Sequence, residues 1–216
     1  MPIALPNLMA TSPYLYHLTY APNLERIRRL RILQSTSIML QAGNMPNQLN
    51  QRRTEILELQ IGNDNIVITD QHPINENNIQ FENNWTLADL VQAINNRVFF
   101  WRGKSNGLLR CNQKHFERYQ NAAQNLVFLR LSFRSALEIN SPNGPQLCKY
   151  NSGAARRNNG QRIPRGPRTF VEPKDADFSI GKVKEVVFQN FVNLPVETEI
   201  CNNSWAGPWQ PLFANG

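Results

Sequence analysis

Tyr14-Leu15-Tyr16-His17-Leu18-Thr19 is the stretch on which the reading of the fold turns. Aromatic and branched residues dominate it, and they suit the pleated, half-buried surface of a strand. Pro22 follows where a first helical turn tolerates a missing N–H. Leu24, Ile27, Leu30 and Leu33 then recur every third residue, which predicts a helix with one apolar stripe. Glu25, Arg26, Arg28 and Arg29 fall mostly off that stripe and read as its solvated face. A strand carrying a histidine and running into a helix is thus the first unit of the chain.

Further units follow from the same rules. Gln41 to Gln51 is polar and without period, a loop; Arg52 to Leu59 reads as a second helix-like segment, and Ile66-Val67-Ile68-Thr69 as a buried strand bounded by Asn and Asp. Thr86, with Asp89 three positions on, predicts a helix N-terminus ahead of Leu87, Leu90, Val91 and Ile94. That helix delivers the chain into the aromatic strand Val98-Phe99-Phe100-Trp101, ending at Arg102-Gly103. Asn112 to Ala123 reads as a helix presenting His115, Phe116 and Tyr119. Leu126 to Leu131 reads as a strand, and Ser132 as the cap of a short helix holding Ala136 and Leu137. Lys182 to Phe188 returns as a strand that Asn190 to Leu194 extends or pairs with, and a coil follows Cys201. The pattern is that of one α+β domain over 1–216, with a core at 14–195 and a coil tail at 196–216.

The charge is concentrated. The 216 residues carry 23 Lys plus Arg against 16 Asp plus Glu, a net +7, with 17 Arg and only 6 Lys. Arginine grips phosphate and carboxylate with two parallel hydrogen bonds, so the bias favours anionic partners, nucleic acid first among them. From Ser141 to Pro173 there are five prolines and the cations Lys149, Arg156, Arg157, Arg162, Arg165 and Arg168, against the single acid Glu172. That stretch reads as a long basic loop, and long loops in compact domains are often functional.

Several classes are excluded or disfavoured. No run approaches the roughly 20 apolar residues that cross a bilayer, so no membrane partner is expected. The start, MPIALPNLMA, has no basic region and two prolines and does not read as a secretory signal. Cys111, Cys148 and Cys201 are odd in number and far apart, which argues against a disulfide framework and a zinc cage and for a reducing cytoplasm. The Asn84-Trp85-Thr86 and Asn202-Asn203-Ser204 triplets are then chance glycosylation matches. His17, His72 and His115 lie apart from one another and from acidic clusters, so no metal is expected. No Gly-rich phosphate loop, nucleophile elbow or zinc-protease motif is present. What remains is His17 in an H-x-T triplet, the aromatic strand, and Glu185 among Val183, Val186 and Val187. A carboxylate among valines is costly without a partner, which marks Glu185 for a role.

Tyr16-His17-Leu18-Thr19 followed by Asn23-Leu24 and Ile27 resembles the start of the DarT-type ADP-ribosyltransferases, where a strand bearing H-x-T leads into a helix of the form N-L-x-x-I. Val98 to Trp101 resembles that family's aromatic second strand, and Lys184-Glu185-Val186-Val187-Phe188 the strand that carries its catalytic glutamate. Order and coarse spacing agree over residues 14 to 190, and the whole chain resembles still more closely a bacterial domain of this size that carries no assigned function. The family's helix ends with Gly where Arg31 stands here, and its arginine near the aromatic strand has only the offset counterpart Arg97.

The resemblance implies a split mixed sheet, mainly antiparallel, with flanking helices and NAD, consumed as substrate, in a cleft. His17 and Thr19 would meet the nicotinamide-side ribose and amide, Phe100 or Tyr150 would stack on the nicotinamide, and Arg97 would serve the cofactor. Glu185 would be catalytic, polarising the ribose 2′-hydroxyl and offsetting the positive charge as nicotinamide leaves. Arg156, Arg157, Arg162, Arg165 and Arg168 would hold nucleic acid, with a base as acceptor, as in a toxin or defence enzyme restrained by an antitoxin or other regulatory protein. The competing reading is a binding module on the same fold without turnover, which would have no need of His17, Thr19 and Glu185 together. An RNA-end phosphotransferase shares the general fold, but its paired Arg-His signature is not visible. Each residue also has a plainer reading, His17 as a hydrogen-bonded strand histidine and the aromatics as core.

Overall fold

The structure, a computed structural model, describes residues 2–109, 113, 116, 125–141, 143–153, 155, 157, 159–202 and 204–213. A short helix α1 (Leu5–Thr11) precedes strand β1 (Tyr14–Tyr20). Helix α2 (Leu24–Leu30) follows and stops at Arg31, whose φ of 55° puts it in the left-handed region usually held by glycine. The Arg31 guanidinium lies over the Phe213 ring at 5.2 Å. Leu33 therefore does not continue the helical stripe. It lies in strand β2 (Ile32–Gln34).

Helix α3 (Thr36–Ala42) occupies the start of the predicted loop, which begins at Gly43 instead. The helix expected over Arg52 to Leu59 is absent: the chain is irregular, with a bend at Thr54 and Glu55, and then enters β3 (Leu57–Ile61), which pairs antiparallel with β4 (Asp64–Ile68). Alternation explains the difference, because Leu57, Leu59 and Ile61 point to one side of a strand, and Leu59 and Ile61 bury against Leu40, Ile66 and Ile68.

Strand β5 (Ile79–Phe81) and helix α4 (Leu87–Asn95) come next, the helix opening on the predicted capping box of Thr86 and Asp89. The aromatic strand is β6 (Arg97–Lys104), hairpinned to β7 (Gly107–Leu108). A side chain at Gly103 would collide with the Tyr16 ring, 2.4 Å from where its Cβ would stand. The helix expected over Asn112 to Ala123, with His115 and Tyr119, lies outside the described residues apart from Gln113 and Phe116.

Strand β8 (Leu126–Ser132) leads into α5 (Phe133–Ile139), whose N-cap Ser132 accepts from the Ser135 N–H. The stretch read as one long basic loop carries β9 (Gln146–Cys148) and β10 (Ile163–Arg165), the latter parallel to β5. Strand β11 (Glu185–Gln189) ends at Asn190, φ 62°, and β12 (Phe191–Asn193) pairs with β2 rather than with β11. The segment expected as a coil tail supplies β13 (Glu199–Asn202), paired with β8, and β14 (Gln210–Pro211), paired with β13.

The main sheet runs β14-β13-β8-β1-β6-β11-β9, all antiparallel. With the parallel β5–β10 pair and the flanking helices the chain is a single α+β domain. One face, with Leu15, Leu129, Phe100, Val186 and Leu147, packs into the main core. The other carries Tyr16, Trp101 and Phe128 in a smaller aromatic core. Among the described residues no helix is long and apolar enough to cross a membrane.

Candidate active site

The sheet is split where β1 meets β6. Only Tyr14, Leu15 and Tyr16 of β1 pair with β6, opposite Gly103, Arg102 and Trp101. Beyond Tyr16, β1 stays paired with β8 while β6 stays paired with β11, so His17–Tyr20 and Arg97–Phe100 diverge. The gap is a cleft of about 250 Å³. Its closed end lies at Tyr16 and Trp101, and the strand rise of about 3.3 Å per residue sets Arg97 about 13 Å further along. The β3–β4 hairpin forms another wall through Ile66, Val67 and Ile68.

His17, Thr19, Glu185 and Arg97 all line this cleft. The His17 ring crosses the split: its Nδ1 lies 2.9 Å from the Phe99 carbonyl oxygen. A carbonyl only accepts, so Nδ1 carries the proton and Nε2 keeps its lone pair. Burial holds the His17 pKa below its ordinary value, with the Phe99 bond working the other way, and the imidazole is neutral. Thr19 Oγ1 accepts from Asn23 Nδ2 at 3.1 Å. Asn23 also donates to the Val67 carbonyl oxygen and accepts from the Val67 N–H, tying the H-x-T strand to the hairpin wall.

Glu185 is the first residue of β11 and stands opposite Trp101 on one side and Cys148 on the other. It is 4% exposed. Its Oε2 accepts from the Ser152 backbone N–H at 3.1 Å. Desolvation pushes its pKa up to about 7, against the opposing pull of Ser152 and of the positive Arg165. Cys148 beside it is pushed up to about 12 by burial and stays a neutral thiol. Cys148 and Cys201 are free and buried; Cys111 lies outside the described residues.

Arg97 donates to Gln146 Oε1 and the Ala93 carbonyl oxygen and lies over the Phe170 ring at 4.4 Å. Arg26 and Arg53 also line the cleft, and neither was expected there. Arg26 was read with Arg29 as solvated helix face; both instead pair with Asp64 at the turn of the hairpin. Arg28 donates to the Leu212 carbonyl oxygen. Arg53 is buried, donates to the Thr69 carbonyl oxygen and Asn95 Oδ1, and is lowered by desolvation to about 10, still charged at neutral pH. Its only sequence signal is an Arg-Arg pair, one of three in the chain, inside a segment whose residues favour a helix.

Three expected assignments change. Phe100 is wholly buried in the main core, edge-on to Phe188, and it is Phe99 that lines the cleft. Strand alternation is the reason, since Phe100 points away from Trp101 and Glu185. Tyr150 lies off the cleft with its ring against Arg165. Arg165 is 1% exposed, so it does not belong to a surface that meets a polymer. Of the remaining loop arginines, Arg157, Arg162 and Arg168 are exposed, and Arg156 lies outside the described residues. Arg157 bonds Asn77 and Asn78, and Arg168 pairs with Asp177.

No curated protein and no solved structure matches the chain. A family described as of unknown function, DUF7002, matches residues 13–198, from the threshold of β1 to the turn before β13, and the chain belongs to that family.

Proposed function

We propose that the protein is an NAD-consuming ADP-ribosyltransferase with Glu185 as its catalytic acid group. The observation that carries this reading is that the split between β1 and β6 sets His17, Thr19 and Glu185 on the walls of one cleft. In the register of the sheet His17 stands opposite Leu129 and Glu185 opposite Trp101, so the two start on opposite faces, and it is the split beyond Tyr16 that opens both onto one cavity. Arg26, Arg53 and Arg97 on the same cleft suit the diphosphate of a dinucleotide.

In the proposed step the bond between ribose C1′ and the nicotinamide nitrogen breaks, and its electron pair leaves with nicotinamide. The acceptor's lone pair forms the new bond to C1′, and the acceptor's proton passes to the Glu185 carboxylate. Positive charge on the sugar peaks in between, and an ionised Glu185 held at 4% exposure offsets it more strongly than a solvated acid would. Neutral His17, whose Nε2 keeps its lone pair, accepts a hydrogen bond from a ribose hydroxyl. The acceptor we favour is a base in single-stranded nucleic acid, with the exposed Arg157 and Arg162 on its backbone.

The test is to incubate the protein with NAD labelled in the adenylate part, with single-stranded DNA, RNA or a bacterial lysate. Released nicotinamide and transferred label are followed together. Label transfer that disappears in Glu185→Gln supports the reading. An equal rate in that variant removes the catalytic role, and binding of nucleic acid without any NAD turnover favours the non-catalytic module.

A further inference from the structure

The bulkiest side chain that the fold hides almost completely is a charged one. Arg165, the last residue of β10, is 1% exposed. Its guanidinium carbon lies 4.0 Å from the centre of the Tyr150 ring. Nη1 donates to the Pro164 carbonyl oxygen at 3.0 Å, while Nε and Nη2 have no hydrogen-bond partner among the described residues. No described acid is within ion-pair distance of it. A cation removed from water with donors unpaired is strongly unfavourable unless a negative charge lies within reach.

The surroundings supply one. Cys148 is the strand partner of Glu185, and Ser152 gives Glu185 its backbone hydrogen bond. Tyr150, on which Arg165 rests, is the middle of that segment, and the Asn151 side-chain oxygen beside it is also buried without a partner among the described residues. Cys148 stands opposite Glu185 across the strand pair and Arg165 acts on it from β10, while His17, Arg97, Arg53 and Asp70 line the same cleft as Glu185. Trp101, opposite on β6, does not titrate. Cys148 and Tyr150 are held neutral by burial, and His17 is neutral as well. Arg97 and Arg53 spend donors on Ala93, Gln146, Thr69 and Asn95.

We propose that Arg165 is a positioning residue for Glu185: its unpaired N–H groups are the counter-charge the carboxylate takes up on losing its proton, so Arg165 sets the pH at which the acid is ready. The role named for Glu185 rests on the transferase reading, whereas the coupling between the two side chains does not.

The experiment is a nuclear magnetic resonance titration of the whole protein, following the Glu185 side-chain carboxyl carbon and the Arg165 Nε–H. In the unaltered protein both resonances are expected to move with one midpoint. Arg165→Met should raise the Glu185 midpoint by about one pH unit or more, and Arg165→Lys should hold it within about half a unit, the size of effect an adjacent charge has on a buried acid. An Arg165 Nε–H that stays fixed while Glu185 titrates overturns the proposal, and this needs no variant to fold. An unchanged midpoint in folded Arg165→Met overturns it too. Nicotinamide release measured against pH is read beside the titration: coupled titration without NAD turnover refutes the transferase and leaves the pair intact, while turnover with uncoupled titration does the reverse.

Discussion

Replacing Glu185 with glutamine should stabilise the protein in alkali and much less in acid. The carboxyl is 4% exposed and its pKa is pushed up to about 7 from an ordinary 4.5. Below the ordinary value, folded and unfolded chains both carry a neutral carboxyl, and the folded state keeps whatever stability that neutral group contributes. As pH rises the unfolded chain ionises freely, while the folded chain must hold its proton or bury a charge, so stability is lost up to and through about pH 7. At about 1.4 kcal/mol per pH unit the full loss is about 3 kcal/mol. His17 acts in the opposite direction: its lowered pKa contributes stability above 6.5 that is lost as pH falls. Comparing the variant with the parent at each pH cancels His17. Glutamine keeps an oxygen for the Ser152 N–H and has no proton to lose. Urea unfolding followed by tryptophan fluorescence at pH 5 and pH 8.5 should then show the glutamine variant gaining roughly 2 to 3 kcal/mol on the parent between the two pH values. A gain under about 0.5 kcal/mol would mean that Glu185 is not a buried, proton-holding carboxyl, and both the catalytic reading and the Arg165 coupling would lose their footing.

Phe100→Ala should cost about 3 to 5 kcal/mol in urea unfolding, the price of a cavity in the main core. Phe100→Leu should cost far less and leave NAD turnover unchanged, and a turnover defect in a stable Phe100→Leu protein would return this side chain to the cleft. Thr86→Ala removes the hydroxyl that accepts from the Asp89 N–H and donates to the Asp89 carboxylate, leaving only the bond from the backbone N–H of residue 86, so it should cost about 1 kcal/mol and melt the first turn of α4 ahead of the rest in amide exchange. Equal protection at Leu90 and Val91 in variant and parent, with no change in stability, would show that the helix start does not depend on the cap.

The part of the site legible in the sequence is the part written in short motifs. The H-x-T strand, the aromatic strand and the late glutamate strand were found because each is a run of a few residues whose period and composition suffice. His17, Thr19 and Glu185 accordingly share the cleft. Errors arose where neighbours decided. Arg52 to Leu59 has helix-forming residues, yet the apolar side of its last part is claimed by Leu40 and Ile66, and from Leu57 the chain is a strand. Phe99 and Phe100 are indistinguishable in composition, and only the pairing register turns one to the cleft and the other to the core. Composition places Arg165 in a basic loop; burial against Tyr150 makes it an interior cation.

By itself the sequence determined the α+β class, the start of α4, the positions of β1, β6, β8 and β11, and the identity of a histidine and a carboxylate worth placing together. These follow from local spacing, which acts through near neighbours in the chain. Only the tertiary structure decided that β1 and β6 part after Tyr16, that Asn23 ties the hairpin to the cleft, and that Arg165 is buried against Tyr150 with its Nε and Nη2 unpaired among the described residues. Those depend on which surfaces exclude water from one another across long stretches of chain, and no local pattern encodes that choice.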